Sequence, residues 1–221
     1  EVDRIRYVAN CLTNHPRKRP THNKALGHLM KAATLIDDNQ QVFNQLRDGK
    51  FRRSPLSRAY MTYYFLGRTQ LNLGSHEDAV SYTKRAMKLS MEHRDEFATD
   101  SWLIYEKMNL LEDTGRSVLS YNRNVTEAIK YLDESLSLAR KHRPHEIRRQ
   151  TDPLYHKAWA LFIDGKTEDA VESLQEAIDI LTANNARWDD ATDARRYFKQ
   201  HLQEDSSTSD EKLEVYRYAW T

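Results

Sequence analysis

"FLGRTQLNLGSHEDAVSYTKRAM", residues 65–87, is the stretch on which the fold turns. Two of the chain's six glycines, Gly67 and Gly74, stand here among residues that otherwise favour a helix, and Ala79 and Ala86 follow seven apart. A glycine costs about 1 kcal/mol in a helix interior relative to alanine, so each needs a reason to be there. Gly74 accepts the left-handed turn that closes a helix. Gly67, Ala79 and Ala86 are small because two antiparallel helices cross closely there, and larger side chains would hold them apart.

The same arrangement returns along the chain. Aligned on Gly74, Gly115 and Gly165, the windows "YMTYYFLGRTQLNLG" (60–74), "SWLIYEKMNLLEDTG" (101–115) and "TDPLYHKAWALFIDG" (151–165) each place apolar residues at helical spacing and end in glycine. Each precedes a second amphipathic helix: "HEDAVSYTKRAMKL" (76–89), "VTEAIKYLDESLSL" (125–138) and "KTEDAVESLQEAIDIL" (166–181). An acidic residue precedes an alanine in all three, as Asp78-Ala79, Glu127-Ala128 and Asp169-Ala170, and acids in a first turn suit the helix dipole. Self-similarity on this scale marks a helical solenoid.

These positions resemble the tetratricopeptide repeat (TPR), a family with a unit of about 34 residues. Its small position is met by Gly67 and Ala158, its helix-ending glycine by Gly74 and Gly165, and its two alanines by Ala79 and Ala86 and by Ala170 and Ala177. The middle unit departs from the pattern, with Met108 at the small position and Ser135 in place of the last alanine. Its "SVLSYNRN" (117–124) reads as an insertion forming an extended turn after Gly115. The joints between units are longer than the family's, which matches its longer variants of about 42 residues per unit. The resemblance implies an all-α, right-handed superhelical solenoid of antiparallel helix pairs. Helix pairs are expected to meet near Gly67/Ala79, Met108/Ala128 and Ala158/Ala170.

The expected organisation has four parts. Residues 1–58 form a basic, helical capping or degenerate-repeat region, with helices at 2–13, 22–35 and 40–46, and 59–182 hold three repeats. A polar capping helix follows at 183–203, then a linker, "QEDSSTSDE" (203–211), and the aromatic end of 204–221. The formal net charge of +1 conceals an asymmetry: residues 1–58 carry 12 Lys and Arg against 5 Asp and Glu, and the remainder is acidic. Basic runs such as "PRKRP" (16–20) read first as solvated loops and second as contacts for nucleic acid or acidic lipid.

The residues argue against catalysis. Cys11 has His15 four positions on, yet nothing nearby orients that histidine as a base. His142 and His145 lie among arginines, which oppose a metal cation. Glu112-Asp113 and Asp189-Asp190 are adjacent pairs that diverge on a helix, so they read as solvated surface groups. No glycine-rich phosphate loop occurs. The chain reads as a non-enzyme without a cofactor. No apolar run approaches the roughly 18 residues of a membrane span. A single cysteine and no visible signal peptide point to an intracellular, cytoplasmic or nuclear, setting.

By resemblance, the first helix of each unit lines a concave groove. The groove positions fall on Tyr64 and Arg68, on Trp102, Tyr105 and Asn109, and on Tyr155 and Trp159. The three tyrosines in register would make an aromatic ladder suited to a partner protein's peptide or helix. The alternative is that they pack between units. A second functional class, an RNA- or nucleic-acid-binding helical repeat, would use the basic N-terminal region and the groove aromatics. Self-association through a solenoid end fits either.

Overall fold

The computed structural model describes residues 19–39 and 55–184. The expected helices at 2–13 and 40–46, the capping helix, the linker and the aromatic end lie outside them, as do Cys11, His15 and Asp189-Asp190. Eight helices make up the described residues, and none of these residues is in a strand. They are α1 (Arg19–Asp38), α2 (Pro55–Leu73), α3 (His76–Glu92), α4 (Arg94–Thr99), α5 (Ser101–Asn122), α6 (Val125–His142), α7 (Ile147–Ile163) and α8 (Thr167–Ala183). The chain divides into two compact units, one ending at Tyr121 and the other beginning at Asn122.

In the first unit α2 is the centre. It packs on α1, whose Leu29, Ala32 and Ile36 are buried, and on α3 through the close crossing that the sequence anticipated. Gly67 is buried there. A Cβ built on it would stand 2.5 Å from Cγ2 of Thr83 and 3.1 Å from the carbonyl oxygen of Ala79. Ala79, Thr83 and Ala86 are fully buried on the facing side. The short α4 was not foreseen, and it takes up part of the long joint before α5. Its Phe97 meets Tyr60 edge to face, with ring centroids 4.7 Å apart.

Polar groups tie α1, α2 and α3 together. The Tyr63 hydroxyl donates to Oδ1 of Asp37 at 2.6 Å, and Arg85 pairs with the same carboxylate. The Arg85 guanidinium also lies 4.0 Å over the Tyr63 ring. One carboxylate from α1 is thereby held from both other helices.

In the second unit α7 packs against both α6 and α8. Ala158, Ala170 and Ala177 are fully buried, as the repeat spacing requires of a close α7–α8 crossing. Met108 and Ala128 are each buried in their own unit. The helix α7 begins at Ile147, so Pro153 lies inside it rather than near its start.

Two of the three glycine endings hold. Gly74 has φ +82° and Gly165 φ +77°, both left-handed. Beyond each, a backbone N–H reaches back five residues: Ser75 to Gln70 at 2.9 Å and Lys166 to Leu161 at 2.9 Å. Both helices therefore close with the same left-handed glycine cap. Gly115 does not close one. It is buried inside α5, which continues two further turns to Asn122. The expected extended turn at 117–124 is thus corrected. Ser117, Val118 and Leu119 are buried helix, and the actual turn is confined to Arg123, with φ +52°, and Asn124. Asn124 then caps α6: its side-chain oxygen accepts from the Glu127 N–H at 3.1 Å, and its amide donates to the Glu127 carboxylate at 3.3 Å.

Candidate functional site

The groove positions of the first unit come from α2 and α5. Asp100 sets the start of α5: its carboxylate accepts from the backbone N–H groups of Trp102 (2.8 Å) and Leu103 (3.1 Å). Trp102 is thereby fixed in the first turn. Tyr105 and Asn109 follow three and seven residues on, a spacing that keeps all three on one helix face. All three are half-buried. The Asn109 amide donates to Glu106 at 3.4 Å.

Arg68 reaches this region from α2, with its side chain 39% exposed. Its guanidinium donates to the Tyr64 hydroxyl at 3.2 Å, and its Nε lies 3.8 Å from Oδ2 of Asp113 on α5. Arg116, one turn further along α5, bonds the other oxygen of Asp113 at 3.4 Å. Asp113 is only 6% exposed. Its reading as a solvated surface group is corrected: it is a buried carboxylate between two arginines. The sequence carries the Arg116 half of this arrangement, three residues on, but not the burial or Arg68, which α2 brings.

The tyrosine ladder is placed differently from expectation. Tyr64 has no exposed surface, and its ring stacks on Phe65 at 5.3 Å. In the second unit Tyr155 is 1% exposed and Trp159 is 7% exposed. These three side chains pack within the helix layers, because a helix flanked by neighbours buries most of its circumference. Tyr105 alone of the three tyrosines is half-buried. Burial pushes the Tyr60 and Tyr64 hydroxyls well above the ordinary tyrosine value of 10, and the carboxylates of Glu106 and, for Tyr64, Asp113 add to it.

Among the described residues no three His, Cys, Asp or Glu side chains gather as metal ligands, and no helix is long and apolar enough to cross a membrane. His142 and His145 are exposed, one at the end of α6 and the other in the turn that follows.

A family model described as tetratricopeptide repeat matches residues 62–93, the α2–α3 pair. No curated protein matches the chain. Among solved structures, one of a Podosopora anserina putative kinesin light chain, with nearly identical TPR-like repeats, superposes at a TM-score of 0.61. The match covers 99% of this chain and 93% of that one, at 13% identity. A point variant of the same protein gives a TM-score of 0.61, 12% identity, and coverage of 98% and 92%. At such identity the likeness is one of fold. The matched motif coincides with the Gly67–Ala79 crossing and the Gly74 cap, the same cap recurs at Gly165, and the chain thus carries a tetratricopeptide repeat at residues 62–93 within a TPR-like helical fold.

Proposed function

We propose that this chain is a protein-interaction scaffold, not an enzyme, that holds a partner's peptide or helix along the α2–α5 face of its first unit. The observation that carries the reading is the line of Trp102, Tyr105 and Asn109 on one side of α5, with Arg68 beside it. Aromatic rings offer contact area at small entropic cost, and asparagine offers a donor and an acceptor to a peptide backbone. Arg68 would receive a carbonyl or carboxylate of the ligand as a charge-assisted bond. Tyr64, Tyr155 and Trp159 belong to the same reading as the buried layer that sets the helix faces.

Nucleic acid fits this face less well. Glu112 and Asp113 carry negative charge close to Arg68 and would oppose a phosphate backbone. The test is an affinity capture with the full chain, comparing wild type with Tyr105→Ala and Asn109→Ala and with a control, Lys88→Ala on exposed α3. Loss of the same captured protein in the first two, at unchanged melting temperature and after nuclease treatment, is the expected result. Equal capture by all four proteins would place the interaction elsewhere.

A further inference from the structure

The second unit carries a feature that the peptide-groove reading does not use. Because α6, α7 and α8 run antiparallel in sequence order, the end of α6 and the start of α7 lie at the same end of the unit. The segment "RKHRPHEIRR" (140–149) spans that end. Beside it an open cleft of about 570 Å³ lies between the three helices, with Ser137, Arg140 and Lys141 of α6, Lys157 of α7 and Glu176 of α8 on its walls.

The cations there are held loosely. Arg140 pairs with Glu176, and Lys157 donates to Asp133 at 2.8 Å, with both acids nearly half exposed. Arg148 is different: it bonds the buried Asp152 at 2.9 Å and is not available for exchange. Surface pairs such as Arg140–Glu176 and Lys157–Asp133 contribute about 0–1 kcal/mol, so exchanging one for a ligand's carboxylate costs little. Lys141 is exposed and has no ion pair among the described residues. The dipole of α6 accounts for basic residues in its last turn, but not for Lys157, Arg148 and Arg149 on α7.

We propose that this cleft and the basic corner beside it form a second docking surface, for an acidic peptide of a partner protein. Carboxylates spaced along a peptide would land on Arg140, Lys141 and Lys157, with the exposed Ser137 hydroxyl as a further donor. The spacing of charge separates this ligand from nucleic acid. Asp133, Glu146 and Glu176 interrupt the basic residues, and a phosphate backbone with a charge on every nucleotide would meet them unavoidably. A peptide can place its neutral residues there.

The probe is a fluorescently labelled peptide of alternating glutamate and alanine, titrated against the full chain. Binding that weakens about tenfold in the double variant Arg140→Gln/Lys141→Gln, and that falls with added salt, is the expected result. Both sites are exposed, so the melting temperature should hold, and Arg140→Lys/Lys141→Arg should keep most of the affinity. Three outcomes overturn the proposal. The double variant binds as wild type does; a single-stranded oligonucleotide displaces the peptide and binds more tightly; or peptide binding appears only after deletion of residues 203–211, which makes that acidic stretch of the same chain the occupant.

Discussion

Arg68 on α2 and Asp113 on α5 stand 3.8 Å apart, Nε to Oδ2, and the buried carboxylate is held from its other side by Arg116 at 3.4 Å. A single carboxylate thus joins α2 to α5 and is shared by two guanidinium groups. Asp113→Ala should lower stability by about 1–3 kcal/mol, since it leaves both arginines without that acceptor. Arg68→Gln should cost less, because Arg68 is 39% exposed and partly screened. Urea midpoints measure both, and a wild-type midpoint for Asp113→Ala would refute the structural role.

Gly67→Ala places a methyl group 2.5 Å from Thr83 Cγ2, so the Thr83 side chain or the helix crossing must shift. The expected loss is about 1–3 kcal/mol from overpacking, and more for Gly67→Leu. Thr83→Ser removes the offending methyl and keeps the hydroxyl that donates to the Ala79 carbonyl at 2.8 Å. The double variant should therefore recover much of the loss in thermal unfolding. Additive destabilisation would show that the conflict lies with the Ala79 backbone instead.

Deleting residues 117–124 should unfold the first unit. The segment expected as an extended turn supplies Val118 and Leu119, at 0% and 1% exposure. Each such side chain contributes about 1.5–3 kcal/mol by burial, together a large part of the roughly 5–15 kcal/mol of a typical domain. Circular dichroism of the deletion variant decides the matter, and a cooperative melt near the wild-type temperature would contradict it.

Alkali should destabilise the protein in a defined window. Burial, then the Glu127 carboxylate that accepts from its hydroxyl at 3.2 Å, pushes Tyr131 up to about 12. Burial, then the hydrogen bond to Asp37, raises Tyr63, and burial raises Tyr60 and Tyr64. A folded-state value above the unfolded value of about 10 means that the unfolded chain loses its protons first. The stabilisation is therefore complete below about pH 10 and is lost as pH rises through about 12 and beyond. Tyrosinate absorbance should rise together with unfolding, and Tyr131→Phe should flatten the fall between about pH 10 and 12. An unchanged alkaline fall in Tyr131→Phe would refute the assignment.

Much of the fold was legible because it depends on local chemistry. Glycine adopts the left-handed ending at Gly74 and Gly165 at least steric cost, and only small residues allow the crossing at Gly67, Ala79, Ala158 and Ala170. These constraints act within a few residues or one helix pair, so the sequence by itself determined them. Gly115 resembled them in type, but whether a glycine ends a helix depends on what packs beyond it, and buried Val118 and Leu119 reward the continuation of α5. The candidate site was legible as positions, not as environments. Tyr64, Tyr105 and Tyr155 share one repeat position, yet two are buried and one is half-buried. Asp113 looked like one more surface acid until α2 brought Arg68 to it from a distant part of the sequence. Burial and pairing of charges arise from distant chain segments meeting, and that was decided by the tertiary structure alone.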